Sequence, residues 1–514
     1  MEFSNLSQMF YYRAERHRKK RYISFEDTHY TYEEASAIIS RIARLFQQKG
    51  VKKGTRVAVL LNNSPEFVFS VFALFTCGAV VIPINVFLKS REITYIVDNS
   101  ETEFLISSGA FSDVISEVRK SSSKIKEVFS YDNSIPYSVN LYDESKRMSS
   151  EPLSSSSKID DLAVFIYTSG TTGHPKGAML THRNILSNLS GIAVVLGSSE
   201  KDRFLVMLPM FHTYTFTACL MLPAYQGASI IILSSVMDMK KKSFKKILIF
   251  QRPTFMLGIP QVFAALAKSP MPAWFIKLLY PVKKHISGGA PLPMEIFEQF
   301  KSKFGMSVIE GYGLSEASPV VSFNPLDNPK PGTVGVALPN IQVKIVDQDE
   351  IEVPRGSVGE LIIKGDNVMY GYWGMPKATD DAIRNGWLFT GDMASMDENG
   401  YITIVDRKKD LIITKGMNVY PREIEEVIYK FPGVEAAAVI GLPSLEQGET
   451  VTAYIQPLSG NIIDEKELRA YLRLELANYK QPRIIKIIKN IPLTATGKVL
   501  KRQLKDMIKA GKIS

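Results

Sequence analysis

The sequence predicts an α/β fold in two parts, a large N-terminal domain and a small C-terminal domain. Apolar, β-branched runs alternate with helical patterns over the first three hundred residues, as expected for βαβ units with largely parallel sheets. Between about residues 333 and 406 the runs become short and are broken by Gly, Pro and Asn, which favours a small antiparallel sheet or barrel. A compact α+β pattern follows, and the length of 514 residues agrees with about two to four folding units.

The strands of the first part are predicted where β-branched residues cluster between helical stretches. The candidates are 56–61, 79–84, 103–106, 162–168, 204–208, 229–233 and 308–310. A serine-rich stretch at 149–157 reads as an exposed connection. We therefore expect two mixed, mostly parallel α/β units at about 1–150 and 158–330.

The C-terminal part begins where the short-strand pattern ends. A β-barrel is predicted at about 333–406, which completes an N-terminal domain over 1–406. A hinge is placed at 406–410 and the C-terminal domain at 410–514. The elements expected in this domain are a helix at 423–431, strands at 435–440 and 451–456, and a helix at 465–476.

Net charge points to an anionic partner without naming it. Sixty-two basic residues against 52 acidic ones give +10, which suits nucleotides, a phosphorylated cofactor, membrane surfaces or acidic carrier proteins. The densest basic clusters lie at 13–21 and 240–246, and both are predicted to be solvated helical faces. Neither carries the interleaved aromatic residues of a nucleic-acid surface, so no nucleic-acid partner is expected.

Cysteine usage and apolar runs indicate a soluble protein of a reducing compartment. Cys77 and Cys219 each lie in an apolar run and can form neither a disulfide framework nor a CxxC metal site, so a cytoplasmic location is expected. Residues 1–21 have no apolar core of a secretory signal. Residues 67–87 have the length of a membrane span, but Gly78 and a proline interrupt them, which favours a buried helix, a turn and a strand.

A phosphate-binding loop is predicted directly after the strand at 162–168. The string from Tyr167 to Lys176 reads YTSGTTGHPK and combines glycines, which free the backbone, with hydroxyl donors and one mobile cation. It is not a Walker A loop, because Pro175 stands where the second glycine would be required. A plain surface turn is the alternative, and the density of hydroxyl and glycine residues closed by a lysine disfavours it.

This string resembles the signature loop of the adenylate-forming superfamily, which includes acyl-CoA synthetases, peptide-synthetase adenylation domains and beetle luciferases. Further matching segments follow in the expected order over essentially the whole chain. They read SGGAPL at 287–292, EGYGLSE at 310–316, NGWLFTGD at 385–392 with DRKKD at 406–410 and GMNVYP at 416–421, and PLTATGK at 492–498. The long signature at 385–421 is similar to that of bacterial medium- and long-chain fatty acyl-CoA synthetases.

The resemblance assigns a nucleotide site. The residues implied to bind ATP are Thr168, Ser169, Gly170, Thr171, Thr172, Gly173, Lys176, Gly289, Ala290, Pro291, Tyr312, Gly313, Ser315, Asp392, Arg407 and Lys498. Tyr312 would stack on adenine, and Asp392, helped by Arg407, would accept hydrogen bonds from the ribose hydroxyls. Most members carry Thr at the position of Ser315, and the hydroxyl is retained.

The catalytic residues implied are Lys498, Lys176 and Glu316, with Glu316 also holding Mg²⁺. His212 would lie by the acyl channel and Gly416 near the pantetheine channel. A satisfied core histidine is an equal interpretation of His212. Lys409 matches the hinge residue about which the family's mobile C-terminal domain rotates between two half-reactions.

The substrates implied are ATP with Mg²⁺, a fatty acid and coenzyme A. An acyl carrier protein is the alternative thiol acceptor, and another carboxylic acid the alternative substrate. A peptide-synthetase domain is disfavoured because no counter-charge for an amino acid is found, and a luciferase because Ile413 replaces the expected lysine. A regulatory pseudo-enzyme would be expected to lack Lys498, Glu316 or Asp392. Membrane contact is expected to be at most peripheral, at the inner face.

Overall fold

A computed structural model of the chain describes residues 2–168, 175–414, 417–444, 448–493 and 499–511. In the first segment the helices are α1 (Leu6–Arg16), α2 (Tyr32–Gln48), α3 (Pro65–Cys77), α4 (Ser90–Asn99), α5 (Ser112–Ser121) and α6 (Leu141–Ser145). The strands there are β1 (Arg21–Phe25), β2 (Thr28–Thr31), β3 (Arg56–Val59), β4 (Val80–Pro83), β5 (Phe104–Ser107), β6 (Glu127–Ser130), β7 (Val139–Asn140) and β8 (Leu162–Thr168).

The second segment continues the alternation of strands and helices. Up to residue 337 its strands are β9 (Lys176–Thr181), β10 (Arg203–Val206), β11 (Ser229–Ile232), β12 (Phe255–Gly258), β13 (Lys284–Ser287), β14 (Val308–Gly313), β15 (Val320–Phe323) and β16 (Val336–Ala337). Its helices are α7 (His182–Leu196), α8 (Thr213–Thr215), α9 (Leu222–Gln226), α10 (Lys242–Lys246), α11 (Pro260–Ala267), α12 (Ala273–Leu279) and α13 (Met294–Phe304). Two π-helical segments, Phe216–Met221 and Ile247–Gln251, extend α8 and α10.

The remainder is richer in antiparallel strands. They are β17 (Gln342–Val346), β18 (Gly359–Lys364), β19 (Gly371–Tyr372), β20 (Ile383–Arg384), β21 (Trp387–Met396), β22 (Ile402–Arg407), β23 (Ile412–Thr414), β24 (Met417–Val419), β25 (Val434–Ser444), β26 (Gly448–Pro457) and β27 (Ile484–Ile487). The helices are α14 (Pro376–Ala382), α15 (Pro421–Tyr429), α16 (Glu465–Glu475) and α17 (Lys501–Lys509).

Two large sheets form the body of the molecule. One has the order β19-β9-β8-β4-β3-β5-β6-β7 and is parallel from β8 to β7. The other has the order β16-β15-β14-β13-β12-β10-β11-β1-β2 and is parallel from β14 to β1. The mixed, mostly parallel α/β class is therefore confirmed. The division into two α/β units at about 1–150 and 158–330 stays a prediction. Each of the two large sheets contains strands from both of these ranges.

All seven predicted strands of the first part are present; six end within two residues of the prediction, and β14 continues three residues further, to Gly313. Other strands of this part, such as β9, β12 and β13, were not predicted. Residues 67–87 include most of α3, a turn at Gly78 with φ of +72° and β4, as predicted, and the helix and strand are buried. Both cysteines are buried and free. None of the described helices combines the length and apolar character that a bilayer span needs.

Two smaller sheets follow. Strands β17, β18, β21 and β20 form an antiparallel sheet in that order, with β22 also paired to β21. Its described pairs leave β17 and β20 as separate edges, so the region predicted as a barrel is an open sheet in the described residues. The last sheet, β24-β23-β26-β25 with β27 on β26, packs with α15 and α16 around its own core, separate from the large N-terminal core. The small α+β C-terminal domain is thus confirmed as a fold.

Candidate active site

The candidate site starts at the carboxyl edge of the nine-stranded sheet. Strands β13 and β14 are parallel neighbours, with Ser287 opposite Glu310. Because parallel neighbours end on the same edge, the turn after β13 and the residues at the end of β14 meet there. The turn contains Gly289, whose φ of +80° is a conformation that favours glycine. The sequence therefore brings two of its predicted nucleotide motifs, SGGAPL and EGYGLSE, side by side.

A buried carboxylate fixes the first of these motifs. Glu310 is 7% exposed, and its Oε1 accepts a hydrogen bond of 3.3 Å from the backbone N–H of Leu292, directly after Pro291. Burial raises the pKa of Glu310 to about 7, and the positive charge of Arg422 opposes that rise. Sequence reasoning included Glu310 in its motif and gave it no role. The structure makes it the support of the predicted adenine turn.

Tyr312 and Asp392 are brought together from two different sheets. The phenolic hydroxyl of Tyr312, at the end of β14, donates a 2.5 Å hydrogen bond to Oδ2 of Asp392 in β21. Burial, followed by the charge of Asp392, raises the pKa of this phenol, which keeps it protonated and able to donate. Gly313 lets the chain pass close to the loop after it, because a Cβ there would lie 2.1 Å from the Pro319 carbonyl oxygen.

Arg407 completes a polar triad with Asp392. The two residues are opposite each other in the β21–β22 pair, and Arg407 Nε lies 3.1 Å from Asp392 Oδ1. Asp392 is 4% exposed. A carboxylate has about four acceptor positions; the Tyr312 hydroxyl uses one of them, and Arg407 adds a positive charge beside the other oxygen. The remaining acceptor positions are enough for the two hydroxyls of a ribose 2′,3′-diol.

A second carboxylate, Glu360, supports the turn before Asp392. Its Oε1 accepts 3.1 Å from the N–H of Gly391, and its Oε2 pairs with Lys408 Nζ at 2.7 Å. Gly391 has a φ of +70°. The sharp turn and the hinge-side lysine are therefore tied to one buried anion. The sequence motif at 385–392 gave no sign of Glu360, which lies on the neighbouring strand β18.

The two described ends of the predicted phosphate loop are paired, and one of them reaches Glu316. Thr168 ends β8 and Lys176 begins β9, and the two are paired across this hairpin. The Oγ1 of Thr168 lies 3.5 Å from Glu316 Oε1. Glu316 is the fourth residue after Tyr312, so the predicted adenine and phosphate ends of the site are joined by one short segment. Ser169, Gly170, Thr171, Thr172 and Gly173 lie outside the described residues.

Tyr372 is a site residue that sequence reasoning missed. Its hydroxyl donates to Glu316 Oε1 at 2.9 Å, and the Lys176 ammonium lies 5.0 Å from the centre of its ring. Burial, followed by the charge of Glu316, raises the pKa of the Tyr372 phenol. One side chain therefore orients both the predicted magnesium ligand and the predicted phosphate lysine. The aromatic Tyr-Gly-Tyr-Trp string at 370–373 is the one local signal that could have suggested it.

The predicted acyl segment contacts the same loop. The hydroxyls of Thr213 and Ser315 lie 2.7 Å apart, which joins the residue after His212 to the residue before Glu316. Tyr214 packs under the adenine turn, since a Cβ on Gly288 would lie 3.0 Å from its ring. The His212 Nδ1 accepts 3.4 Å from the Tyr214 N–H and so caps α8. His212 is thus placed beside the site, and its role there stays a prediction.

The remaining predicted residues divide into described and undescribed ones. Lys409 lies in the single 3₁₀ turn Lys408–Asp410 that joins β22 to β23, which is where the hinge was predicted. Ala290 and Pro291 lie in the turn after β13. Lys498 and Gly416 lie outside the described residues. The catalytic lysine and the pantetheine-side glycine therefore stay predictions.

The described donors fit a magnesium ion bound mainly through phosphate. No cluster of three or more His, Cys, Asp or Glu side chains suited to a metal occurs in the described part of the chain. Mg²⁺ is commonly held by one or two carboxylates plus substrate phosphates. Glu316 offers one such carboxylate, whose Oε1 contacts Thr168 and Tyr372, and its Oε2 has no hydrogen bond among the described residues. The described donors therefore suit Mg²⁺ that is bound jointly by Glu316 and the phosphates of a nucleotide.

Together, two mostly parallel sheets and a site with adjoining sugar, base and phosphate elements define an adenylate-forming enzyme. The comparisons with known proteins agree. A family model described as AMP-binding enzyme matches residues 10–373, and one described as AMP-binding enzyme C-terminal domain matches 423–498.

Individual relatives cover nearly the whole chain. A long-chain-fatty-acid–CoA ligase of Bacillus subtilis (strain 168) is 34% identical, over 96% of this chain and 92% of its own. A feruloyl-CoA synthase of an Amycolatopsis species is also 34% identical, over 92% and 93%. The ATP-bound crystal structure of MatB from Rhodopseudomonas palustris superposes with a TM-score of 0.89 at 31% identity, over 98% of this chain and 99% of that one. The chain belongs to the AMP-binding enzyme family and is an adenylate-forming acid–CoA ligase.

Proposed function

We propose that the protein activates a medium- or long-chain fatty acid as its acyl-adenylate and transfers the acyl group to coenzyme A, releasing pyrophosphate and then AMP. The observation that carries the proposal is that groups suited to a nucleoside and to phosphates adjoin: Tyr312 bonds to Asp392, and Glu316, four positions after Tyr312, shares Tyr372 with Lys176. The contact between the hydroxyls of Thr213 and Ser315 joins the segment that begins at His212 to the residue before Glu316, which supports an acid site next to the phosphate groups.

The first half-reaction joins acid and nucleotide. A carboxylate oxygen attacks the α-phosphorus of ATP, the bond to the bridging oxygen breaks, and pyrophosphate leaves. Lys176 and Lys498 are assigned to the charge that develops on the phosphate and carboxylate oxygens. Glu316, held by Tyr372, is assigned to Mg²⁺, which would neutralise phosphate charge when bound. Asp392 and Tyr312 bind and orient the nucleoside.

The second half-reaction joins acyl group and thiol. The sulfur of CoA attacks the acyl carbon and AMP leaves with the phosphate oxygen. The two half-reactions need different groups at the same side of the site. The C-terminal domain is therefore assigned a rotation about Lys409 that brings Gly416 toward the thiol channel. The position of Lys409 in a short connection between two sheets supports this assignment.

A fatty acid is favoured as substrate by the acyl segment. From Leu208 to Ala224 the chain carries no Lys, Arg, Asp or Glu, and the π-helical turn Phe216–Met221 within it is buried throughout. The Bacillus relative supports the same class. An aromatic acid is the second candidate, because the feruloyl-CoA synthase is equally identical.

A panel of acids separates these candidates. AMP release is measured with ATP, Mg²⁺ and acetate, octanoate, palmitate, oleate, benzoate or ferulate, with and without CoA. AMP that rises with chain length and turns over only with CoA supports the proposal. Preference for ferulate or benzoate supports the aromatic alternative. Turnover only with an acyl carrier protein would contradict CoA as acceptor. If none of the acids in the panel led to AMP release, the proposed substrate class would be contradicted.

Two variants test the division of labour. Lys498→Ala is expected to abolish adenylation and to leave thioester formation from supplied acyl-adenylate intact, with Lys489→Ala as an exposed control. Lys409→Pro is expected to do the reverse, because proline restricts the backbone that must rotate, with Lys409→Ala as control. Equal loss of both half-reactions in either variant would contradict its assigned role.

A further inference from the structure

The net positive charge of the chain comes almost entirely from one segment. Residues 234–285, which run from the end of β11 to the first two residues of β13, contain ten Lys and Arg residues and a single acidic residue, Asp238. This segment thus carries +9 of the net +10 of the whole chain, and the other residues together are close to neutral. Asp238 is itself paired with Lys241 at 2.6 Å. We call the outward side of this segment the basic face.

The elements of this segment lie in one layer of the fold. The sheet order β14-β13-β12-β10-β11 means that the connections β11–β12 and β12–β13 advance in the same direction. Parallel connections are right-handed, so both lie on the same side of the sheet. The next connection, through α13, lies there too, and α11 packs on it through the Phe263 and Phe300 rings, 5.6 Å apart. Side chains that point away from the sheet therefore share one surface.

Large apolar side chains are exposed among these cations. On α12, Phe275 and Ile276 are buried against the core, whereas Trp274 and Leu278 are 60% and 71% exposed. Phe250, at the end of the preceding helical connection, is 78% exposed. Lys277 stands between Trp274 and Leu278 and is exposed. A helix with an apolar inner side and Trp, Lys and Leu outward is typical of contact with the boundary between lipid headgroups and acyl chains.

The cations of the basic face are available for a partner. Lys245, Lys246, Lys268, Lys277 and Lys283 are all exposed. None of them forms a salt bridge with a described side chain. Close to an anionic bilayer each such cation contributes about 1 kcal/mol of attraction, which the local absence of acidic residues leaves unopposed. The sequence predicted only a solvated helical face here, because neither the exposure of Trp274 nor the shared layer is visible in the sequence.

We propose that the basic face docks the protein on the surface of an anionic phospholipid bilayer, with Trp274, Leu278 and Phe250 in the headgroup boundary and the lysines on lipid phosphates. An acidic carrier protein offers charge but no reason for exposed aromatic and aliphatic side chains between the lysines. A bilayer matches both. The inference rests on charge and exposure and does not depend on the proposed substrate.

Vesicle sedimentation tests this directly, without ATP or acid. The full-length protein is sedimented with vesicles of phosphatidylcholine alone or with a quarter phosphatidylglycerol, from low to high salt. Binding is expected only to the anionic vesicles and is expected to weaken with salt. Trp274→Ser with Leu278→Ser, and separately Lys245→Glu with Lys277→Glu, should each reduce the partition coefficient at least about tenfold.

Matched controls change the same residue types elsewhere. Ile462 and Leu474 are 98% and 86% exposed on the C-terminal domain, and Lys52 and Lys124 are exposed on the N-terminal domain. Ile462→Ser with Leu474→Ser, and Lys52→Glu with Lys124→Glu, should stay within about twofold of the unaltered protein. Equal loss in the control and face variants would overturn the proposal. So would the absence of binding to anionic vesicles at low salt.

A second readout locates the contact. Vesicles with brominated acyl chains quench tryptophan fluorescence when the indole enters the bilayer. Trp274→Phe keeps an apolar ring, so binding is expected to persist and the quenching to disappear. Quenching that survives in Trp274→Phe would place another tryptophan at the bilayer and overturn the assigned face. Vesicle binding abolished by an acidic acyl carrier protein, with no quenching by brominated lipid, would show a protein partner instead.

Discussion

The hydroxyl of Tyr312 donates to Asp392 across 80 residues of sequence and from one sheet to another. Tyr312 ends β14 of the parallel sheet, and Asp392 lies in β21 of the antiparallel sheet. This bond fixes the distance between the predicted base-stacking ring and the predicted ribose carboxylate. It follows that the nucleoside site depends on the packing of two sheets and not on one loop.

Asp392→Asn is expected to weaken ATP binding strongly. The amide loses the charge that pairs with Arg407 and accepts through only one of its two ends. Hydrogen bonds to a charged group contribute about 1.5–3 kcal/mol, so the KM for ATP should rise roughly 10- to 100-fold. Tyr312→Phe is the matched control, since it keeps the ring and frees one oxygen of Asp392, and should cost less than about tenfold. A larger effect of Tyr312→Phe than of Asp392→Asn would contradict the ribose assignment.

Tyr372→Phe is expected to affect magnesium use more than ATP binding. The variant keeps the ring near Lys176 and removes only the hydrogen bond to Glu316. A hydrogen bond to a charged carboxylate contributes about 1.5–3 kcal/mol, so the Mg²⁺ concentration for half-maximal activity should change by at least roughly tenfold. Tyr372→Leu removes the ring as well and should in addition lower kcat. Steady-state rates over a magnesium titration check this, and an unchanged midpoint in Tyr372→Phe would contradict the orienting role.

Glu310→Gln is expected to change how stability depends on pH. The pKa of Glu310 is raised by burial from the ordinary value of 4.5 to about 7 in the folded protein. Between these values the folded state holds a proton that the unfolded state has lost, so the stability of the unaltered protein falls as pH rises through this window. Glutamine resembles the protonated form and should remove that loss.

The measurement is denaturant unfolding of both proteins from pH 5 to pH 8. The advantage of Glu310→Gln should grow over this range by about 2–3 kcal/mol. The comparison between the two proteins cancels other titrating groups, such as His285, whose pKa burial lowers to about 3. A constant difference across the range would show that Glu310 is not the titrating group.

Lys501→Met is expected to destabilise the C-terminal domain. Lys501 Nζ pairs with Glu425 at 2.8 Å, with side chains 14% and 15% exposed, and Asp406 nearby is 7% exposed. Removing the cation leaves two acidic groups poorly solvated, which costs about 3–5 kcal/mol. Amide hydrogen exchange in α15 and β25 should report a loss of this size. Lys146→Met, which breaks an exposed pair with Asp143, should change protection by less than about 1 kcal/mol.

The sequence was sufficient for the elements that are defined locally. Pattern alone located α3 with its glycine end at Gly78, and seven strands that are mostly buried apolar runs, within about three residues: β3, β4, β5, β8, β10, β11 and β14. Strands β12 and β13, which read FMLG and KHIS, are not β-branched runs and were not predicted. Which strands pair is a non-local property. Strands β1 and β2 belong to the nine-stranded sheet, and β8 and β9 belong to the eight-stranded sheet. This pairing depends on packing that no local pattern encodes.

The site divides in the same way. Tyr312, Glu316, Asp392 and Arg407 lie in motifs that specify their chemistry, and the structure brings them together. Tyr372, Thr213 and Glu360 act through partners far along the chain, and single tyrosine, threonine and glutamate residues carry no signal of this kind. The sequence placed Glu310 in a motif, but it could not predict the burial that raises the pKa of this residue.

Attack of a carboxylate on the α-phosphorus is the central claim, and isotope transfer tests it most directly. The acid selected by the panel is labelled with ¹⁸O in both carboxylate oxygens and turned over with ATP, Mg²⁺ and CoA, and AMP is analysed by mass spectrometry. Acyl-adenylate chemistry predicts one ¹⁸O in the phosphate of each AMP formed. Unlabelled AMP, or ADP as the nucleotide product, would contradict it.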